Sequence, residues 1–222
     1  MDYRFDFAAV FDYTPVLLRG LAVTIELILF GALVGVAIGI VCAWARSYGP
    51  LAMRLVVATY VELIRNTPFL IQLFFIFFGL PALGIQMGEM QAACLAMALN
   101  LGAYSAEIIR AGIAATPRGQ YEAGASLAMT RLQVFRYIVL KPAMGRIWPA
   151  LSSQIVIVML GSAVVSQIAA EDLSFAANFI QSRNFRAFEA YFLTTFIYLA
   201  LAIVLRQLLN AVGRWLFRRP TR

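Results

Sequence analysis

The chain has 222 residues, 62% hydrophobic and 13% charged, with a mean hydropathy of +0.82. Soluble domains average about 45–50% apolar and about 25% charged, so a soluble globular domain is excluded. Lys and Arg total 18 against 11 Asp and Glu, giving +7 at pH 7, and His is absent. That removes the commonest general base and metal ligand, and with it any Ser-His-Asp or Cys-His centre. Cys42 and Cys94 lie inside apolar runs and read as small buried hydrophobes, not as a disulfide framework or a zinc site.

Crossing a bilayer takes about 20 apolar residues. Five stretches qualify: roughly Leu17–Ala45, Val57–Leu80, Met90–Ile113, Ile147–Ala170 and Tyr191–Leu209. The expectation is an all-α polytopic membrane protein, one transmembrane domain over residues 1–222 with its core at about 17–209. Asp2, Asp6 and Asp12 stand where a signal peptide carries basic residues, and the first apolar run is too long for its h-region. No cleavable signal peptide is expected. Arg46, Arg54, Arg118, Arg131, Arg136, Lys141, Arg146, Arg214, Arg218, Arg219 and Arg222 fall on one side; Arg4, Arg19, Arg183 and Arg186 fall on the other. The positive-inside rule then puts the N-terminus outside and the C-terminus in the cytoplasm. The basic excess is a topological signal and does not point to nucleic acid.

Within the first span, Glu26 has no local partner and needs one from another helix or chain, or is protonated. Before and within the second, Leu51 to Leu80 would extend about 45 Å as a helix, against a bilayer core of about 30 Å. Asn66-Thr67-Pro68 interrupts it, because proline lacks an amide hydrogen and disfavours helix in the residue before it. The segment is expected to begin as an interfacial helix and to be kinked or broken near Pro68. Thr67 would cap the new segment, with Pro68 as its first residue. A broken helix exposes backbone at a transport site; a proline kink filled by a threonine side chain is the alternative. Glu62 with Arg65, and Glu107 with Arg110 in the third span, have the i,i+3 spacing of one helix face. They read as intramembrane ion pairs holding helices in register.

Between the third and fourth spans, about residues 114–142 are too polar to span. Thr116-Pro117 reads as a cap followed by a proline at the first helical position, a helix-start signal, and Tyr121 to Met129 reads as a short Ala-rich helix. Thr130-x-x-Gln133 matches a capping box and predicts a second helix from Arg131. It presents Leu132, Phe135 and Val139 on one side and is expected to stop before Pro142. A short small-residue helix suits docking into a groove of another protein; an interfacial helix on lipid is weakened by the lack of basic residues from Tyr121 to Met129. In the fourth span, Gly161-Ser162 allows close helix approach, with a pore-lining role open for Ser162. Asn66, Thr67, Gln72 and Ser162 are the candidate translocation-path residues.

Glu122-Ala123-Gly124, followed at a distance by Ile138-Val139-Leu140-Lys141-Pro142, resembles the EAA loop of ABC importer permeases. Glu62-Leu63-Ile64-Arg65-Asn66-Thr67-Pro68, with Gln72, and Ala103-Tyr104-Ser105-Ala106-Glu107-Ile108-Ile109-Arg110 resemble the polar amino acid branch of that family. The likeness runs from about Leu17 to Leu209, in order. The loop departs in reading Glu-Ala-Gly, in having Ala128 where the pattern has glycine, and in a proline one position late. The resemblance implies the type I ABC importer permease fold. It implies that Glu122, Ala123, Gly124, Ala125, Ser126, Leu127 and Ala128 form the helix that couples to ATP hydrolysis. It also implies a dimer of cytoplasmic ATP-binding subunits, a second permease subunit, identical or related, and an external substrate-binding protein at a bacterial inner membrane.

Independently, the chain has no G-x-x-x-x-G-K-[ST] element, and its one lysine, Lys141, has no glycine-rich setting. ATP, and any cofactor, is therefore expected on a partner and not on this chain. Import of a polar amino acid or related zwitterion by alternating access is the leading reading. A passive channel or scaffold leaves the docking loop unexplained. An intramembrane enzyme lacks a GxSG-type elbow and a close carboxylate pair beside a nucleophile.

Overall fold

The computed structural model describes residues 5–217; Asp2, used in the signal-peptide argument, and Arg4, Arg218, Arg219 and Arg222, used in the orientation argument, lie outside them. The described residues form helices, turns and short links, with no strand. A short α1 (Ala8–Phe11) leads into α2 (Thr14–Tyr48), which is apolar on all sides, as a membrane helix is. One stripe of α2 is glycine. A Cβ added at Gly31, Gly35 or Gly39 would lie 3.4, 2.9 or 2.5 Å from the Cβ of Met97, Leu101 or Ser105 on α5 (Glu89–Ala114). Each step of four on α2 matches a step of four in the same sense on α5, so the two helices run parallel.

Parallel neighbours require the chain to cross back between them. That return is made by α3 (Leu51–Arg65) and α4 (Phe69–Phe74), the latter extended by a wide π-turn at Phe75–Gly79 and a 3₁₀ turn at Leu80–Leu83. The direction changes by 113° between them, which is a break and not a kink. Four helices are long and apolar enough to cross alone, and the broken pair, counted as one span, brings the number to five.

The remaining elements are α6 (Arg118–Ser126), α7 (Arg131–Gln133), α8 (Leu140–Gly161), α9 (Leu173–Asn184) and α10 (Ala187–Phe217). Packing fixes their directions. Gly112 of α5 meets Ala143 and Ile147 near the start of α8, whereas Gly213 near the end of α10 meets Trp148. The Trp148 indole also donates to Leu209 O at 2.8 Å. Tyr48, Ala114, Leu140 and Phe217 therefore share one end of the bundle, the loop end; Thr14, Glu89 and α9 share the other. α5 is the hub, with 67% of its most apolar stretch buried, against 28% for α2 and 17% for α10. The outer helices present Phe30, Leu33, Phe196 and Leu208 outward, as lipid-facing surfaces do.

Two expectations near prolines are corrected. Neither Thr67 nor Thr116 caps a helix: the N-caps of α4 and α6 are Pro68 and Pro117, with no side-chain cap, and α6 begins at Arg118, ahead of Tyr121. The helix from Arg131 does not stop before Pro142. A π-turn at Val134–Val139 follows α7, Leu140 N–H bonds to Phe135 O five residues back, and the chain runs on into α8. Pro142 thus falls three residues after the π-turn, near the point where the wide register gives way to α8. The capping box at Thr130 is formed, Thr130 N–H donating to Gln133 Oε1 at 2.8 Å and Gln133 N–H to Thr130 Oγ1 at 3.4 Å.

Candidate functional site

Breaking α3 at Pro68 leaves carbonyls without donors, and side chains supply them. In a continuous helix Ile64 O would accept from residue 68, whose nitrogen carries no hydrogen. Gln72 Nε2 donates to Ile64 O at 2.7 Å instead, and also to Thr67 O and Thr67 Oγ1 at 2.9 Å each. The Thr67 hydroxyl donates to Leu63 O at 2.8 Å. Gln72 Oε1 accepts from Asn100 Nδ2 at 2.9 Å, which ties the break to the middle of α5. Gln72 and Asn100 are 8% and 7% exposed, so this is a buried network.

Beside the break lies a cavity of about 250 Å³. Thr67, Pro68 and Phe69 form one wall, Asn100 and Tyr104 of α5 a second, and Gln154, Ile157, Val158 and Gly161 of α8 the third. Of the four residues proposed for a path, Thr67 lines this cavity. Asn66 is exposed and donates to Glu62 O at 2.8 Å, and Gln72 serves as the plug of the break. Ser162 is fully buried, its hydroxyl making no hydrogen bond among the described residues. Asn100, Tyr104 and Gln154 were not singled out for the path. Their signal was faint: isolated polar groups inside otherwise apolar helices.

Toward the loop end, Glu107 follows on the face of Asn100 and Tyr104, at i, i+4 and i+7. The Glu107–Arg110 pair is formed, with Arg110 Nε donating to both carboxylate oxygens at 3.1 and 3.2 Å and Nη2 closing the second contact. Arg46 of α2 joins it at 2.9 Å, so one carboxylate is shared by two guanidinium groups. The Glu62–Arg65 ion pair is not formed. Arg65, the last residue of α3, instead lies over the Tyr104 ring at 5.7 Å, and Glu62 Oε2 accepts from Asn66 Nδ2 at 3.2 Å. Glu26 is exposed and makes no hydrogen bond or ion pair among the described residues.

The loop is a second feature. Helix α6 ends at Ser126, two residues short of the expected segment; it leaves Glu122, Ala123, Ala125 and Ser126 exposed and buries only Gly124, and Leu127 and Ala128 follow it, also exposed, in a turn. A Cβ at Gly124 would lie 2.7 Å from Val134 Cγ2 and 3.0 Å from Ile138 Cδ1, so the helix rests on the π-turn through that glycine. After α6, Met129 N–H bonds to Gly124 O and Ala128 N–H to Ala125 O, at 3.1 and 2.9 Å. These are the paired bonds of a Schellman turn. Ala128 occupies its left-handed position, at φ 53°, which explains why a glycine belongs there. Leu127 and Leu132, 74% and 59% exposed, flank the turn and form an apolar edge.

At the opposite end, Asp172 caps α9 and is fully buried. It accepts from Phe175 N–H at 2.8 Å and from the Tyr198 hydroxyl at 3.0 Å. Burial pushes its carboxyl up to about 6, and those two hydrogen bonds pull it back only in part.

Comparison with known proteins accords with this arrangement. A family model described as binding-protein-dependent transport system inner membrane component matches residues 35–219. The chain is 30% identical over 213 residues to the glutamine transport system permease protein GlnP of Escherichia coli (strain K12), covering 95% of this chain and 97% of that one. It is 32% identical over 210 residues to the arginine transport system permease protein ArtQ of Bacillus subtilis (strain 168), covering 94% and 96%. A crystal structure of an amino acid ABC transporter with histidines matches with a TM-score of 0.85 at 37% identity, covering 96% of this chain and 99% of that chain. The chain belongs to the binding-protein-dependent transport system inner membrane components, the membrane-spanning permease subunits of ABC importers, in which the ATPase is a separate subunit.

Proposed function

We propose that the cavity between the broken span, α5 and α8 is this chain's share of the pathway for a polar amino acid. The observation that carries this is its lining. Thr67 at the break, and Asn100, Tyr104 and Gln154 within α5 and α8, bring hydroxyl and amide groups among otherwise apolar side chains. Relatives named for glutamine and arginine support the substrate class. At about 250 Å³ the cavity is smaller than the roughly 300–1,000 Å³ of small-molecule sites. That suits one half of a path completed by a second permease subunit, identical or related. The Arg and Lys bias supports a bacterial inner-membrane orientation with the N-terminus outside and the loop end in the cytoplasm. A substrate-binding protein then delivers from outside, and no ATP or other cofactor sits on this chain.

Residues Glu122 to Ala128 are the coupling segment in this reading. Their exposed small side chains and the Leu127–Leu132 edge suit a cleft in a dimer of ATP-binding subunits. Closure of that dimer moves the loop, and with it α5 and α8, so the cavity opens alternately to the two sides.

The test is ATP-dependent amino-acid uptake by the reconstituted complex in liposomes. Asn100→Leu and Gln154→Leu are expected to cut uptake at least about tenfold, the loss of one to two buried polar contacts. Glu122→Arg is expected to abolish it. Uptake unchanged by the first two removes the cavity assignment, and uptake surviving Glu122→Arg removes the coupling assignment.

A further inference from the structure

The coupling reading leaves open how a displacement of α6 reaches the cavity without being absorbed where the loop joins the bundle. A loop free to swing where it leaves α5 would dissipate it. The geometry points to Arg146 as the residue that prevents this: we infer that it clamps the two feet of the loop together, so that α5 and α8 move as one lever. This inference rests on the coupling assignment above.

Arg146 lies in α8 and reaches across to the end of α5. Its Nη1 donates to Ala115 O at 2.8 Å and its Nη2 to Thr116 Oγ1 at 2.9 Å. Thr116 Oγ1 in turn donates to Gly112 O at 3.3 Å, one turn back in α5. A guanidinium is suited to this place. The last carbonyls of a helix lack donors, and that end of the helix favours a cation. Its planar fork presents donors to two acceptors in a fixed geometry, whereas a lysine offers a compact charge on a flexible stem.

The crossing beneath the clamp is already tight. A Cβ at Gly112 would lie 2.7 Å from Ile147 Cγ2 and 3.4 Å from Ala143 O, so α8 packs its Ile147 side chain and its backbone directly onto the glycine. Above the clamp, Tyr121 of α6 donates to Ile113 O at 3.3 Å and receives Tyr48 O–H at 3.2 Å. Helix α6 is therefore bonded to the same helix end that Arg146 holds. The two clamped helices are also two walls of the cavity. Gln154 is eight residues along α8 from Arg146, roughly 12 Å, and Tyr104 is twelve residues back along α5 from Thr116, roughly 18 Å. Movement at the loop thus reaches Gln154 and Tyr104 through rigid helix and one side-chain clamp.

Arg146 is a positioning residue: it touches neither ATP nor substrate. Its removal should uncouple hydrolysis from transport and leave both partners bound. The experiment is amino acid taken up per ATP hydrolysed, read in the same proteoliposomes holding the whole complex. Arg146→Ala is expected to lower the ratio at least about fivefold, the lower bound of typical inter-site coupling. Thr116→Val, which keeps the arginine and removes one acceptor, should give an intermediate ratio. Arg146→Lys should recover part of what alanine loses.

An unchanged ratio in Arg146→Ala overturns the clamp. Should that variant fail to assemble, an unchanged ratio in Thr116→Val overturns it equally. Ala125→Arg, on the exposed face of α6, separates the two layers of the argument. If it blocks uptake while Arg146→Ala keeps a normal ratio, the clamp alone is wrong. If it changes nothing, the coupling assignment beneath the clamp is wrong.

Discussion

Replacing Gln72 tests whether the broken span is held by hydrogen bonds or by packing alone. Gln72→Leu keeps the size and removes every polar contact of the side chain. Ile64 O loses the donor that stands in for the missing Pro68 N–H, and Asn100 Nδ2, on a residue 7% exposed, loses its acceptor. Each buried group left unpaired costs about 1–3 kcal/mol. Thr67 O adds little, because it borders the cavity. The leucine recovers roughly 1–2 kcal/mol of apolar burial. The net loss spans about 0–5 kcal/mol with a mid-value of about 2.5 kcal/mol, or roughly 5–10 °C in Tm for a chain of this size.

The assay is thermal unfolding of the detergent-solubilised complex, with Asn100→Ala and the double variant completing a cycle. The two residues share one bond, so their effects should fall short of additive by about 0.5–3 kcal/mol. A third background sharpens the point. Pro68→Ala restores an amide hydrogen at residue 68, and with Ile64 O served by the backbone, Gln72→Leu should cost less there. Strict additivity with Asn100→Ala, together with an equal cost of Gln72→Leu in both residue-68 backgrounds, would refute the account of the break.

Two further outcomes are expected. Ala128→Gly relieves a left-handed alanine and should raise stability by about 1 kcal/mol, whereas Gly124→Ala pushes a methyl into Val134 and lowers it; Val134→Ala added to Gly124→Ala should recover most of that loss, as read by Tm. Asp172 titrates near 6 when folded and near 3.9 when unfolded, so the folded state holds the proton more tightly. Its contribution to stability is then complete below about pH 4 and lost as pH rises through 6, a fall of roughly 3 kcal/mol at most. Tm measured from pH 4 to 7 should carry that slope in the native protein and lose it in Asp172→Asn, which keeps the cap.

The spans and the loop were legible because composition and capping chemistry act over a few residues. The capping box at Thr130 and the break at Pro68 are of this kind: proline's missing hydrogen acts wherever it sits. What the broken span does was half legible. Gln72 was visible as a polar residue in an apolar run, yet its role depended on Asn100, 28 residues away, and on which carbonyls Pro68 strands. A polar residue beside a helix break has two uses, lining a path or replacing lost donors, and one sequence cannot choose between them.

The charged residues make the same argument from another side. Spacing alone treats Glu62–Arg65 and Glu107–Arg110 alike, since both are i,i+3. They differ because Glu107 sits in the middle of a helix that packs against α2, which brings Arg46 to it. Arg65 ends its helix, and its side chain is drawn to Tyr104 across the gap the break creates. An i,i+3 pair is thus a possibility that neighbouring helices either complete or divert. That is also why Arg46 and Arg146 read as topological charge in the sequence. Both do lie on the basic side of the orientation rule, but their hydrogen-bonding partners come from α5 and the two residues that follow it, which only the parallel and antiparallel packing of the bundle could bring within reach.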